Sequence, residues 1–144
     1  MALVVDDLLL LTALAGSAPE ELTSAMQRAA LFTTSSWYYR LARASHDRNF
    51  SGALSSAIAG LSPNERASVR SNLDKLPAFI GVVDTRRVVP VMARLDVPRR
   101  LNFLAAEAVA SALLLDGAIR IATESPILTT ACSTLAIDLK TLTA

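Results

Sequence analysis

Three acidic residues of this 144-residue chain follow short apolar segments that are rich in β-branched residues. The pairs of segment and acid are residues 2–5 with Asp6, residues 79–83 with Asp84, and residues 118–122 with Glu124. Such short apolar runs are typical of strands buried on both faces of a parallel sheet. Ligands of parallel sheets bind beyond the carboxyl ends of the strands. The spacing therefore predicts an acidic site at one edge of a sheet.

Glu107 is a further candidate for this site. It lies in a segment of small and apolar residues, with alanine at positions 105, 106 and 108. These small neighbours predict a crowded environment, whereas a solvent-exposed helical surface is the alternative. Asp7, next to Asp6, has the alternative role of an acid in the first turn of a helix.

Cysteine and histidine, which serve many catalytic and metal sites, each occur once. Because Cys132 is the only cysteine of the sequence, the chain cannot form an internal disulfide or a zinc site made of several cysteines. Its small neighbours predict a reduced, buried thiol. A Ser-His-Asp triad would have to be built around His46.

Short strand-like segments alternate with helical segments, and no hairpin turns separate them. Strands are predicted at residues 2–5, 31–34, 79–83, 118–122 and 137–139. Helices are predicted at 7–15, 17–30, from Ser35 or Ser36 to 47, 62–76, 85–95, 101–115 and 123–135, with irregular or short helical structure at 49–60. Gly16 is expected to end the first helix, and Ser62 with Glu65 matches a capping box at the start of the helix at 62–76. This alternation predicts one α/β domain over residues 1–144, with a central parallel sheet of four or five strands.

The charges are distributed unevenly along the chain. Residues 1–27 have four acids and no bases, residues 28–100 have eleven arginines and one lysine against five acids, and residues 101–144 have four acids and two bases. A basic middle segment is compatible with a phosphate-bearing partner, although a solvated helical surface explains it equally well.

The first sixteen residues do not have the pattern of a secretion signal. They contain no basic residue, and Asp6 and Asp7 interrupt the apolar stretch. No apolar run approaches the roughly 20 residues of a membrane-spanning helix. We therefore expect a cytoplasmic protein without a membrane partner.

The order of these segments is similar to that of the PIN domains. Val4-Val5-Asp6 before a Leu- and Ala-rich helix resembles the opening of the family, in which the first catalytic aspartate ends strand one. Residues 106–113 with Gly117-Ala118 resemble its later acidic helix and the entry to strand four. Residues 121–128 resemble its Thr-Asp turn and last helix. The resemblance implies a three-layer α/β/α fold.

Toxin–antitoxin PIN domains are ribonucleases that cut single-stranded RNA with Mg²⁺ or Mn²⁺ held by carboxylates. Carried over to this chain, the resemblance implies that Asp6, Glu107 and Glu124 are the catalytic and metal-binding residues. The bound ion would activate a water and stabilise charge on the phosphate. The resemblance also implies a homodimer and an antitoxin-like protein partner.

The sequence departs from the family in the helix after strand two. The family places a glutamate there, whereas residues 34–44 contain no acid and include Arg40 and Arg43. These arginines, with the aromatic residues 37–39, are candidates for RNA contacts, although a core position is favoured for Trp37. Alternatively, the arginines turn the cation site of the family into an anion site or an internal salt bridge. The alternative function is thus a catalytically silent module that works by dimerisation, protein binding or RNA binding. An all-helical regulatory domain is a third alternative.

Overall fold

A parallel sheet of five strands forms the centre of the structure, a computed structural model that describes residues 1–47 and 52–143. Its strands are β1 (Leu3–Val5), β2 (Leu31–Thr33), β3 (Ile80–Val82), β4 (Ala118–Ile121) and β5 (Leu139–Thr141). Their spatial order is β3-β2-β1-β4-β5, and all neighbouring pairs are parallel. The predicted α/β class is confirmed, and the all-helical alternative is wrong.

The helices cover both faces of the sheet. They are α1 (Asp7–Ala15), α2 (Glu20–Gln27), α3 (Ser35–His46), α4 (Gly52–Ala59), α5 (Pro63–Asp74), α6 (Thr85–Ala93), α7 (Phe103–Leu115) and α8 (Pro126–Thr134). In one core cluster, the helices α1–α5 pack against Leu3 and Val5 of β1. Another joins α7 and α8 to Val4 of the same strand. Because side chains alternate along a strand, β1 is apolar on both faces and lies in the middle of three layers.

Helix boundaries follow local capping chemistry. Asp6 caps α1, which ends at Gly16 as predicted, and the predicted capping box of Ser62 and Glu65 starts α5. α3 is capped by Thr34 rather than by Ser35 or Ser36, because the Thr34 hydroxyl accepts the Trp37 N–H. Pro90 lies inside α6 without ending it.

Two predicted boundaries near the end of the chain are wrong. α8 begins at Pro126 instead of residue 123, because the Ser125 hydroxyl caps it by accepting the Leu128 N–H. β5 begins at Leu139, since Ile137 still donates its N–H to Cys132 at the end of α8. Residues 49–51 of the predicted irregular segment lie outside the described residues, and α4 is the short helix expected after them.

Arg120 links β4 to α2 and to the residue before β5. This β4 side chain is only 3% exposed, and its guanidinium forms ion pairs with Glu21 at 2.8 Å and with Asp138 at 3.0 Å. It also donates to the Ile119 carbonyl. A buried guanidinium requires such partners, so Arg120 holds α2 and the start of β5 against β4.

The described part of the chain contains no helix long and apolar enough to cross a membrane.

Candidate ligand-binding cleft

A cleft of about 360 Å³ opens where β1 and β4 end. The chain moves from β1 outward to β2 and β3, and then returns to the other side of β1 to form β4 and β5. β1 and β4 therefore flank the topological switch point, where parallel sheets bind their ligands. The cleft is lined by polar and apolar side chains: Asp6, Asp7, Leu8, Trp37, Arg40, Leu54, Leu104, Ile121, Thr123, Ser125 and Leu128, together with Gly52 and Ala53.

Asp6 joins the ends of the two central strands. One carboxylate oxygen accepts the Leu9 N–H at 2.9 Å and so caps α1. The other accepts the Ala122 N–H at 2.8 Å, immediately beyond β4. Burial raises the pKa of this carboxyl to about 6, and the neighbouring Asp7 adds to the increase, while the two backbone hydrogen bonds oppose it. Asp6 therefore links the first turn of α1 to the backbone just beyond β4.

Asp7 and Arg40 form an ion pair within the cleft. The Arg40 Nε lies 3.4 Å from Asp7 Oδ2, and the other Asp7 oxygen accepts the Leu8 N–H at 2.8 Å. The Asp7 side chain is 9% exposed, whereas that of Arg40 is 55% exposed. Burial raises the pKa of Asp7, and Arg40 and the Leu8 N–H oppose the increase. The pair leaves a cation at the surface and an acid beneath it.

Glu107 is buried, and its carboxylate is bonded to the start of α3. It accepts the Ser35 hydroxyl at 2.5 Å and the Ser36 N–H at 3.0 Å. The first turn of α3 contains no acid of its own, and the first N–H groups of a helix lack partners within the helix. Glu107 supplies that acid from α7, so the predicted crowding is present and the carboxylate serves a helix terminus.

Glu124 is exposed and does not line the cleft, although its neighbours Thr123 and Ser125 do. It lines a separate groove of about 570 Å³ along α8, with Pro126 and Thr129 among its neighbours. Ser125 occupies the cap position of α8, so Glu124 does not cap that helix. Across residues 1–47 and 52–143, no group of three or more Asp, Glu, His or Cys side chains is arranged to hold a metal ion. The structure does not bring Asp6, Glu107 and Glu124 together into such a site.

A groove of about 260 Å³ between α3 and α4 lies next to the cleft. Arg40 and Leu54 line both cavities, and the groove adds Tyr39, Arg43 and Asp47. Both arginines predicted to contact RNA thus lie at the cleft or beside it. Sequence reasoning missed Thr123, Ser125 and Leu104, although the first two follow a strand as Asp6 does.

The single tryptophan and the single cysteine of the chain are part of the core. Trp37, for which a core position was predicted, is 3% exposed and packs in the cluster of α7 and α8. Cys132 is a free buried cysteine, and burial raises the pKa of its thiol to about 11. A thiol held so firmly in its neutral form is a poor nucleophile near neutral pH.

The raised pKa of Asp6 predicts an unusual dependence of stability on pH. Its ordinary value is 3.8, so between pH 3.8 and about 6 the folded protein binds more protons than the unfolded chain. The free energy of unfolding should therefore fall as pH rises through this interval, by up to about 3 kcal/mol from this group. Urea unfolding of wild type and Asp6→Asn across this interval measures the difference in slope. Identical slopes in the two proteins would contradict the prediction.

Comparison of the chain with protein-family models, with curated proteins and with solved structures gave no match.

Proposed function

We propose that this chain is a PIN-like domain that binds single-stranded RNA at the cleft and does not cleave it with a metal ion. The observation that carries the proposal is the Arg40–Asp7 ion pair inside the cleft. In the family that the sequence resembles, the helix after strand two contributes a carboxylate to a metal. Here the same helix contributes a guanidinium, which offsets the negative charge that a divalent ion would otherwise balance.

The other acids support the same proposal because their oxygens already have partners. Both Asp6 oxygens accept backbone N–H groups, and both Glu107 oxygens accept donors from the start of α3. A divalent ion of the Mg²⁺ type needs several oxygen ligands in a nearly octahedral arrangement. These residues do not fit that requirement, so the Mg²⁺ or Mn²⁺ implied by the resemblance has no place in the proposed mechanism.

The charge at the cleft surface favours a phosphate-bearing ligand. Asp6 and Asp7 are 7% and 6% exposed, whereas Arg40 and Arg43 are exposed on α3. A ligand that enters the cleft therefore meets the Arg40 side chain before the carboxylates of Asp6 and Asp7, and Arg43 and Asp47 line the neighbouring groove. Arginine binds phosphate oxygens through paired N–H donors, and grooves for single strands combine such cations with aromatic surfaces. The homodimer and the antitoxin-like partner stay predictions from the resemblance.

RNA binding and cleavage are tested together with a labelled single-stranded RNA. We expect fluorescence anisotropy to show binding that is the same in EDTA and in millimolar Mn²⁺, with the RNA intact after incubation. Arg40→Gln combined with Arg43→Gln should raise Kd roughly tenfold, because two charge-assisted contacts to phosphate are lost. Each single variant, Arg40→Gln or Arg43→Gln, is compared with Arg28→Gln, which also removes one positive charge. Arg28 bonds to the Met1 carbonyl before β1, at the opposite edge of the sheet.

Two results would contradict the proposal. Cleavage that requires Mn²⁺ and disappears in Asp6→Asn would establish a metal-dependent nuclease instead. Absence of RNA binding by the wild-type protein, or an equal loss of affinity in Arg28→Gln, would rule out the cleft as an RNA site.

A further inference from the structure

We infer that Tyr39 is the base-stacking residue of this surface, and that the ligand is a strand of at least two nucleotides running from the cleft into the groove of α3 and α4. The inference rests on the proposed RNA binding and adds to it a residue, a path and a minimum length. It depends on which aromatic side chain of α3 is accessible, and on how the two cavities connect.

Three consecutive aromatic residues, 37–39, lie in the first half of α3, but the structure leaves one of them available. Trp37 is 3% exposed and packs against α7 and α8. Tyr38 packs against the core cluster of the helices α1–α5, and its hydroxyl donates to the Leu73 carbonyl at 2.5 Å. Tyr39 is 67% exposed and lines the groove. A base can stack on an exposed ring, so Tyr39 is the aromatic residue of α3 suited to this role.

The two cavities are neighbours, because they share lining residues. Arg40 and Leu54 belong to both the cleft and the groove. Tyr39 and Arg43 lie in the groove, and Thr123 and Ser125 lie in the cleft. A strand that fills both cavities passes Arg40 where they meet. Its exposed guanidinium is placed to bind the phosphate between one nucleotide in the cleft and the next nucleotide on Tyr39.

Two single-stranded probes with the same sugar-phosphate backbone distinguish base stacking from phosphate contact. The probes are a labelled adenine dodecamer and a labelled abasic dodecamer, which has phosphates but no bases. Tyr39→Ala should weaken binding of the adenine strand by about tenfold to a hundredfold, the usual effect of removing a stacking ring. It should leave binding of the abasic strand unchanged. Tyr39→Phe should keep the adenine affinity within about twofold, because the ring remains.

Phe79→Ala is the matched control. Phe79 is 50% exposed, comparable to Tyr39, but it precedes β3 and therefore lies at the amino edge of the sheet, away from the cleft. This variant should bind both strands as wild type does. Circular dichroism and thermal unfolding establish that each variant is folded before binding is measured.

The possible failures are distinguishable. If wild type binds the adenine strand and Tyr39→Ala binds it equally well, the stacking inference is wrong while the proposed function stands. If Tyr39→Ala weakens both strands by the same factor, Tyr39 acts on the structure of the site rather than on a base, and the inference is again wrong. If wild type binds neither strand, both the inference and the proposed function are wrong.

Discussion

Glu107→Ala is expected to lower the free energy of unfolding by about 3 kcal/mol, because it removes a buried carboxylate that accepts two hydrogen bonds. The Ser36 N–H at the start of α3 would be left without its partner, and the helix would lose the acid that faces its N-terminus. The missing side-chain atoms would also leave space in a site that is 1% exposed. Chemical denaturation at neutral pH measures the change.

Glu107→Gln is the matched variant that separates a structural acid from a metal ligand. Its amide oxygen can still accept the Ser36 N–H, and its NH₂ group can donate to the Ser35 hydroxyl. We expect a loss within about 1 kcal/mol. A metal ligand would behave differently: both variants would remain nearly as stable as wild type without metal, and both would lose a stabilisation by Mn²⁺ that wild type shows.

Gly117→Ala is expected to cost about 3 kcal/mol, at the upper end of overpacking effects. A Cβ at this position would lie 2.5 Å from the Ala2 carbonyl oxygen, which is a backbone atom. That oxygen accepts the Ala118 N–H at 2.9 Å where β1 and β4 begin to pair. Relief of the clash therefore requires the two central strands to separate at their amino ends. The midpoint of thermal unfolding should fall by roughly 10 °C.

Gly60→Ala is the control for this substitution. Its added Cβ would lie 3.6 Å from the carbonyl oxygens of Ala57 and Ser56, an ordinary contact distance. It should change the free energy of unfolding by no more than about 0.5 kcal/mol. Equal effects of the two substitutions would show that the close approach of Gly117 to Ala2 does not limit stability. Because Gly117 lies at the amino edge of the sheet, folded Gly117→Ala protein should bind RNA normally.

Much of the fold was predictable from local patterns. The β-branched run before Asp6 predicted β1, and Gly16 predicted the end of α1. Ser62 and Glu65 predicted the start of α5 through chemistry confined to four residues. The errors arose where two local signals compete, as at the start of α8, where Thr123 and Ser125 are both capable of capping.

The candidate site was less predictable than the fold. Position along the chain indicated correctly that Asp6 would lie at the end of a buried strand, where it lines the cleft. It could not indicate which groups the Glu107 carboxylate contacts, because those contacts depend on how α7 packs against the start of α3. The sequence predicted a core position for Trp37, but it could not choose between Tyr38 and Tyr39, since the exposure of these two side chains follows from how α3 packs on its neighbours.

The sequence alone determined the elements of this protein: alternating strands and helices, a sheet buried on both faces, and acids placed after strands. Periodicity and capping are local properties, so they can be read from neighbouring residues. Only the tertiary structure decided what each charged group does. It paired Arg40 with Asp7, bonded Glu107 to α3 and left Glu124 in solvent. The physical reason is that a carboxylate acts on the groups within a few ångströms of it, and distant parts of the chain supply those groups.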